Sequence, residues 1–158
     1  MIKTLLINFF LFNVLLFSAE YDVGDIVDLD DQDQRFTVCH GEHFNNDFKL
    51  SQLNGDLNGG HYFVSWFDIS ATWWPACKTL AEGPVGAVED EWAENQHVAL
   101  FTSLSDLNQP YSCAQWGNLG NGSEEPLIIH DPNYKFMGWF GCCGASEGWP
   151  STVFMDQN

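Results

Sequence analysis

The stretch S-A-T-W-W-P-A-C-K (residues 70–78) lies between a strongly apolar run and a segment with helical spacing. The run before it, residues 61–67, is dense in β-branched and aromatic side chains, which indicates a buried central strand. In the segment after it, apolar residues recur at near-helical spacing: Leu80, Val85, Val88 and Trp92. The sequence therefore predicts a strand, a short turn and the start of a helix.

Cys77 lies in the first turn of this predicted helix, and a cysteine at position 74 would complete a C-x-x-C dithiol at the helix start. In such a motif the unpaired N–H groups and the helix dipole stabilise the first thiolate. The second thiol, one turn later, can attack a mixed disulfide and release the product. Trp74 stands where the first sulfur would be, so the usual attacking group is missing.

Three explanations for Trp74 remain open. It is a true tryptophan in a divergent protein, a selenocysteine codon (UGA) translated as tryptophan, or an error at one base. A selenol would suit the position because the anion is the nucleophile there. The codon distinguishes these explanations, since UGG excludes selenocysteine.

The rest of the chain predicts an α/β layer fold with a mixed sheet. The helix after the motif is expected over residues 76–96 with a kink at Pro84, and a short helix is expected near residues 113–116. Residues 54–60, N-G-D-L-N-G-G, are expected to form a loop. The predicted strands are residues 35–39, 48–55, 61–67, 97–104, 126–131 and 151–156.

The N-terminus predicts export. Lys3 precedes a short apolar run over residues 5–17, and the small residues Ser18 and Ala19 follow, which is typical of a secretory signal peptide. The run is short for a membrane span of about 20 residues. We expect a secreted or periplasmic protein with no membrane span after the signal peptide is removed.

The net charge and the cysteine count narrow the possible partners and the cellular compartment of the protein. A net charge of −17 argues against nucleic acid and anionic lipid as partners. All five cysteines follow the predicted signal peptide, and an oxidising compartment permits disulfides. Two disulfides and one functional thiol are the simplest arrangement of an odd count.

Several motifs in one order resemble exported proteins of the thioredoxin and redoxin superfamily, a group that includes periplasmic reductases of cytochrome maturation. They are F-K-L-S-Q-L-N-G (residues 48–55), an apolar strand, S-A-T-W-W-P-A-C-K, a proline-kinked helix, and G-W-P-S-T-V-F-M-D (residues 148–156). The resemblance implies a thioredoxin-like fold, a mixed β-sheet flanked by helices. Its members continue into another strand and a final helix, which are expected to be missing here.

The resemblance also implies roles for single residues. Trp73 matches the aromatic residue before the dithiol, Trp74 the place of the nucleophilic cysteine, and Cys77 the resolving cysteine. Pro150 matches the cis-proline beside the dithiol, which leaves nearby backbone free to pair with a substrate. Trp73 and Pro150 are therefore expected to bind substrate. Pro84 resembles the helix-kinking proline, two residues later than usual.

The expected domain organisation has three parts: a signal peptide at residues 1–19, an acidic N-terminal extension at residues 20–47 and a C-terminally truncated thioredoxin-like domain at residues 48–158.

Two further cysteines are candidates for the missing sulfur. Cys142 and Cys143 come eight and seven residues before Pro150, respectively, so their loop is expected to approach the helix start. Either could serve Cys77 as a redox partner. Alternatively, one of them bonds to Cys39 or Cys113 and its neighbour is free.

A metal site is not expected. The run C-H-G-E-H contains Cys39, His40, Glu42 and His43, and its nitrogen and sulfur atoms would suit copper or zinc. Three or four ligands must converge on one ion, however, and an exposed histidine-rich turn is the simpler interpretation.

The expected function is that of an exported thiol–disulfide oxidoreductase that acts on protein thiols or disulfides, or with a redox partner protein, in cell redox homeostasis. No cofactor is implied. The alternative is a redox-silent module that binds polypeptide beside Pro150. A peroxidase-like redoxin is a weaker idea, because no cysteine stands at the helix start itself.

Overall fold

A six-stranded mixed sheet forms the centre of the computed structural model, which describes residues 19–41, 47–120, 126–141 and 148–156. The strand order is β2-β1-β5-β4-β3-β6. β3, β4 and β5 run parallel, while β1, β2 and β6 pair in antiparallel fashion. The strands are β1 (Phe36–His40), β2 (Asp47–Phe48), β3 (Val64–Ser70), β4 (Val98–Leu104), β5 (Ile128–His130) and β6 (Ser151–Met155).

The two central strands have different chemistry on their two faces. In register, β3 pairs with β4 from Val64 with Val98 to Ser70 with Leu104. Because side chains alternate along a strand, one face presents the apolar residues Phe67, Ile69 and Phe101. The other face presents Asp68, Ser70, Thr102 and Leu104. The polar face is the one that carries the candidate site.

Helices cover both faces. They are α1 (Leu29–Gln32), α2 (Gly55–Asn58), α3 (Pro75–Leu80), α4 (Gly86–Trp92), α5 (Cys113–Gly117) and α6 (Lys135–Phe140). On the apolar face, Phe136 of α6 packs edge-on against Phe67 with ring centroids 5.3 Å apart. On the other face, Cys77 of α3 and Trp116 of α5 pack with Leu104 and Ile128 in a second, smaller core.

The helix predicted after the motif is confirmed, with an irregularity at its centre. A π-helical segment, Ala81–Val85, joins α3 to α4 and contains Pro84. Proline has no N–H to donate and cannot continue a regular α-helix. The proline expected to kink the helix therefore lies where the regular hydrogen bonding changes.

The predicted strands are confirmed except one. Residues 48–55 are not a strand, because β2 ends at Phe48 and a 3₁₀ turn, Leu50–Gln52, follows. Leu50 and Leu53 are both buried, and a spacing of three residues suits a helical turn. The Lys49 N–H donates to Gln52 Oε1 at 2.8 Å, which fixes this turn.

Two helices differ from the expectations. The predicted loop at residues 54–60 contains α2, because Asn54 caps it by accepting the Asp56 N–H, and Gly59 ends it at φ 96°. α6 was missed altogether. Its signal is the spacing of Phe136, Trp139 and Phe140, at i, i+3 and i+4.

The acidic segment before residue 48 contributes to the same core. Val27, Phe36 and Val38 are buried in the larger apolar cluster, and β1 pairs with β5. The N–H groups of Glu20 and Tyr21 donate to the Gly138 and Trp139 carbonyls of α6. This part of the expected extension therefore packs as part of the domain. Residues 1–18 of the expected signal peptide lie outside the described residues.

No helix among the described residues is long and apolar enough to cross a membrane.

A disulfide between Cys39 and Cys113 joins β1 to α5, with Cα atoms 6.0 Å apart. The two cysteines are 74 residues apart in sequence, so the bond closes a long loop. Neither cysteine is therefore bonded to Cys142 or Cys143, and that alternative is wrong.

We expect removal of this disulfide to destabilise the protein. Replacing Cys39 and Cys113 together with alanine should lower the free energy of unfolding by about 2–5 kcal/mol, because the unfolded chain is no longer constrained. Urea unfolding without reductant, followed by tryptophan fluorescence, measures the difference. Reduced wild-type protein is the control and should lose at least as much. An unchanged midpoint in the double variant would contradict a stabilising role.

Candidate redox site at the carboxyl edge of the sheet

Four chain segments meet at one edge of the sheet. β3, β4 and β5 are parallel, so the residues after Ser70, Leu104 and His130 emerge on the same side. β6 is antiparallel to β3, so the residues before Ser151 enter from that side as well. This edge carries the S-A-T-W-W-P-A-C motif and Pro150, which are more than 70 residues apart in sequence.

The motif forms a helix start, as its pattern predicts. Trp74 is the N-cap residue with extended backbone angles, and Pro75 is the first residue of α3. Proline is favoured there because its missing N–H would have no partner in the helix. Cys77 lies in the first turn.

Asp106, just after β4, holds this turn in place. Its carboxylate accepts hydrogen bonds from the Thr72 N–H at 2.9 Å, the Thr72 hydroxyl at 2.9 Å and the Trp73 N–H at 3.2 Å. Sequence reasoning missed this residue. Its only local signal is an acidic residue close behind a buried strand.

Cys77 is fully buried. Burial raises the pKa of its thiol, hydrogen bonding to the Ala71 N–H and to Ser70 lowers it, and the nearby Asp68 and Asp106 carboxylates raise it further. The Ala71 nitrogen lies 3.4 Å from Cys77 Sγ. A buried thiol with a raised pKa is a poor attacking group, because the thiolate is the nucleophile.

Asp68 lies in β3 on the same face as Ser70 and is buried. Burial raises its pKa to about 6, while a hydrogen bond from the Ser70 hydroxyl opposes the shift. That hydroxyl donates to Oδ2, whereas Oδ1 has no hydrogen-bond partner among the described residues. Asp68, Ser70 and Cys77 therefore form a buried chain of polar groups beneath the helix start. The sequence signal, a single acid within a buried strand, was missed.

A second acid faces this group from α4. Burial, followed by the charges of Asp68 and Asp90, raises the pKa of Glu89 to about 7. The pKa values of both acids are therefore raised, and the charge of Asp68 disfavours ionisation of Glu89.

Pro150 is placed beside the motif. The last pair in the β3–β6 ladder joins Ile69 to Ser151, so Pro150 comes next to Ser70. The Trp149–Pro150 peptide is cis, as expected. Trp149 packs against the core cluster that contains Cys77.

Two indole side chains stand at the surface of the motif. Trp73 is 53% exposed and Trp74 is 41% exposed, and their rings meet edge to face at 5.4 Å. The side chains of Phe67 and Trp139, by contrast, are buried in the core. Trp74 thus occupies the expected place of the nucleophile without displacing the core.

The candidate partner thiols, Cys142 and Cys143, lie outside the described residues, and so do Glu42 and His43 of the C-H-G-E-H run. Cys77 is the free thiol within the described part of the chain. Cys39 is bonded to Cys113 and has no thiolate to offer a metal. The described residues hold no cluster of three or more metal-ligating side chains.

Comparison with solved structures identifies the architecture. The pneumococcal exposed lipoprotein thioredoxin of Streptococcus pneumoniae aligns over 78% of this chain and 81% of its own, with 17% identity and a TM-score of 0.51. The fold is thioredoxin-like. A putative thiol-disulfide oxidoreductase from Bacteroides vulgatus aligns over 77% of this chain and 70% of its own, with 14% identity and a TM-score of 0.47. No family model and no curated protein matches the sequence.

The buried carboxyl of Asp68 predicts a pH-dependent stability. Well below pH 3.8, the group is largely protonated in both folded and unfolded chains. As pH rises toward 6, the unfolded chain loses its proton first, so the free energy of unfolding falls. Once the pH exceeds the folded-state pKa of about 6, the full destabilisation is present. The difference between this pKa and the ordinary value of 3.8 corresponds to about 3 kcal/mol of free energy of unfolding.

Asp68→Asn should therefore stabilise the protein by up to about 3 kcal/mol at pH 8 and much less at pH 4. Urea unfolding midpoints at the two pH values measure the change. Asp30→Asn, at an exposed position of α1, is the matched control and should change little at either pH. Equal effects of both variants at pH 8 would show that Asp68 is not held in an unfavourable site.

Proposed function

We propose that this protein is an extracytoplasmic thiol–disulfide oxidoreductase of protein substrates, in which Cys77 is the resolving thiol. The observation that carries the proposal is the buried chain of Asp68, Ser70 and Cys77 beneath the helix start. A buried carboxyl group destabilises a fold unless it is compensated. If the Asp68 carboxylate accepts the proton of Cys77, its burial serves the reaction.

The exchange proceeds in two steps. An attacking thiolate forms a mixed disulfide with one sulfur of a substrate disulfide and releases the other sulfur as a thiol. Cys77 then transfers its proton toward Asp68 through Ser70, and its thiolate attacks the sulfur of the attacking residue. A disulfide forms within the protein and the reduced substrate leaves. A dithiol protein must then reduce this disulfide before the next turnover.

The attacking sulfur is not at Trp74 in the chain as written. We propose that Cys142 or Cys143 supplies it, because their loop connects α6 to Pro150. A selenocysteine at position 74 would supply the attacking group directly, and the codon decides between the two.

Two observations support action outside the cytoplasm. The Cys39–Cys113 disulfide suits an oxidising compartment. The structural neighbour from Streptococcus pneumoniae is an exposed lipoprotein thioredoxin. Together with the signal-peptide pattern over residues 1–19, they favour a secreted or periplasmic location and protein thiols or disulfides as partners.

A second candidate function is a redox-silent module that binds polypeptide at the same edge. It is favoured by one observation: Cys77 is fully buried, while the indoles of Trp73 and Trp74 stand exposed above it. In that case the indoles bind a chain beside Pro150 and no exchange takes place.

Disulfide mapping of the wild-type protein distinguishes these candidates. We expect non-reducing peptide mass spectrometry to find Cys77 bonded to Cys142 or Cys143, whose Cα atoms would then lie about 4.4–6.8 Å from that of Cys77. A Cys77 that is recovered alkylated only after unfolding, with Cys142 and Cys143 bonded elsewhere, would favour the redox-silent module.

Restoring the missing sulfur should restore exchange. Trp74→Cys places a thiol at the N-cap of α3, and its pKa should fall below the free value of about 8.5. We expect it to form a disulfide with Cys77 and to reduce insulin faster than the parent. Cys77→Ser in that background should trap mixed disulfides, because the resolving thiol is gone.

Trp73→Cys is the matched control for this gain. This variant carries the same tryptophan-to-cysteine substitution one residue before the N-cap. It should reduce insulin no faster than the parent protein. If Trp74→Cys folds and its new thiol is no more reactive than that of Trp73→Cys, the helix start is not a redox site.

A further inference from the structure

The surface above the candidate site is aromatic. Trp73 and Trp74 are about half exposed, and their rings are inclined at 66° to each other. Tyr134, which follows β5, contacts Trp149 with ring centroids 6.3 Å apart, and it too is about half exposed. Because the segments that carry these rings meet at the carboxyl edge of the sheet, we refer to the four side chains as the aromatic rim.

Carboxylates lie beneath the aromatic rim. Asp106 accepts the N–H groups of Thr72 and Trp73, and Asp131 accepts the Phe136 N–H at 2.8 Å. These partners are neutral. Among the described residues, neither carboxylate has a Lys or Arg within ion-pair distance.

Each described Lys and Arg side chain has a partner other than Asp106 and Asp131. Three of them form ion pairs: Arg35 with Asp47, Lys49 with Asp33, and Lys78 with Glu82. Lys135 lies 5.7 Å from the centre of the Trp139 ring. Within the described chain, Asp106 and Asp131 thus form no ion pair with Lys or Arg.

This combination suits a cationic ligand group. The faces of indole and phenol rings attract Lys and Arg side chains within about 6 Å of the ring centre. The carboxylates behind the rings, which form no ion pair among the described residues, add to the attraction. The net charge of −17, from 22 acidic and 5 basic residues, steers positively charged partners toward the protein.

We propose that the aromatic rim selects polypeptide segments that carry Lys or Arg next to the segment bound beside Pro150. The inference rests on the proposed function, since it names the class of polypeptide that the same site receives. The rings of Trp73 and Trp74 hold the cationic side chain, and Asp106 behind them favours its charge. A neutral side chain of equal length gains only apolar contact.

A binding experiment with matched peptides tests this specificity. Two fluorescent ten-residue peptides are compared, each with a central S-methylcysteine flanked either by lysines or by norleucines. We expect the wild-type protein to bind the lysine peptide about five- to tenfold more tightly by fluorescence anisotropy. Trp73→Leu and Trp74→Leu should each lose most of this preference.

The control is Trp92→Leu. Trp92 is 42% exposed like Trp74, but it ends α4 near the opposite edge of the sheet, from which β4 starts. This variant should keep the full preference for lysine. Circular dichroism and urea midpoints establish that the leucine variants are folded.

Equal affinities for the two peptides would overturn the inference and leave the proposed function standing. A lysine preference that persists in both Trp73→Leu and Trp74→Leu would also overturn it, because net charge alone would then explain the attraction. Failure to bind either peptide would overturn the inference together with polypeptide binding at this edge, whereas the insulin assay of Trp74→Cys tests exchange chemistry separately.

Discussion

The parallel pairing of β3 with β4 is the constraint on which the site depends. Seven residue pairs in register, from Val64–Val98 to Ser70–Leu104, make both strands end at the same level. Asp106 can then reach the Thr72 and Trp73 amides from the neighbouring chain segment. A slip of one residue would turn Asp68 toward the apolar face and Ile69 toward the helix. The helix start, the buried acid and the thiol are therefore positioned by one ladder.

The β3–β4 ladder also places the carboxyl group of Asp68 in a buried position, where it destabilises the fold. Asp68 has one oxygen bonded to Ser70 and one without a hydrogen-bond partner in the described structure, and Glu89 adds a second carboxyl nearby. A leucine or valine at position 68 would fill such a site without this penalty. The arrangement is understandable if the protonation of Asp68 is used. A pKa of about 6 makes the group a proton acceptor near neutral pH, next to a thiol whose own pKa is raised.

Features that depend on local sequence could be predicted, and features that depend on contacts between distant segments could not. The helix start at Trp74 follows from its own pattern, as do the central strands. The expected strand at residues 48–55 failed because a short alternating run does not distinguish a strand from a turn in which Leu50 and Leu53 face the same way. Asp106 and the Cys39–Cys113 bond escaped because their partners lie on other elements, and Asp68 escaped because Cys77 and Glu89, the groups it acts on, lie on helices. The spacing of residues along the sequence does not show which helices and strands become neighbours in the fold.

The surroundings of the Trp74 indole are at the surface and not in the core. A core position that acquires an indole must rebuild its surroundings, because protein interiors are close-packed. Trp74 instead lies 41% exposed, with its ring against Trp73, while the backbone beneath it keeps the N-cap geometry and Cys77 keeps its buried contacts. Exchange of this side chain therefore alters the chemistry at the surface of the site and leaves the buried acid and thiol in place. Because the two layers are separable, the buried site is compatible with either an indole or a smaller side chain at position 74.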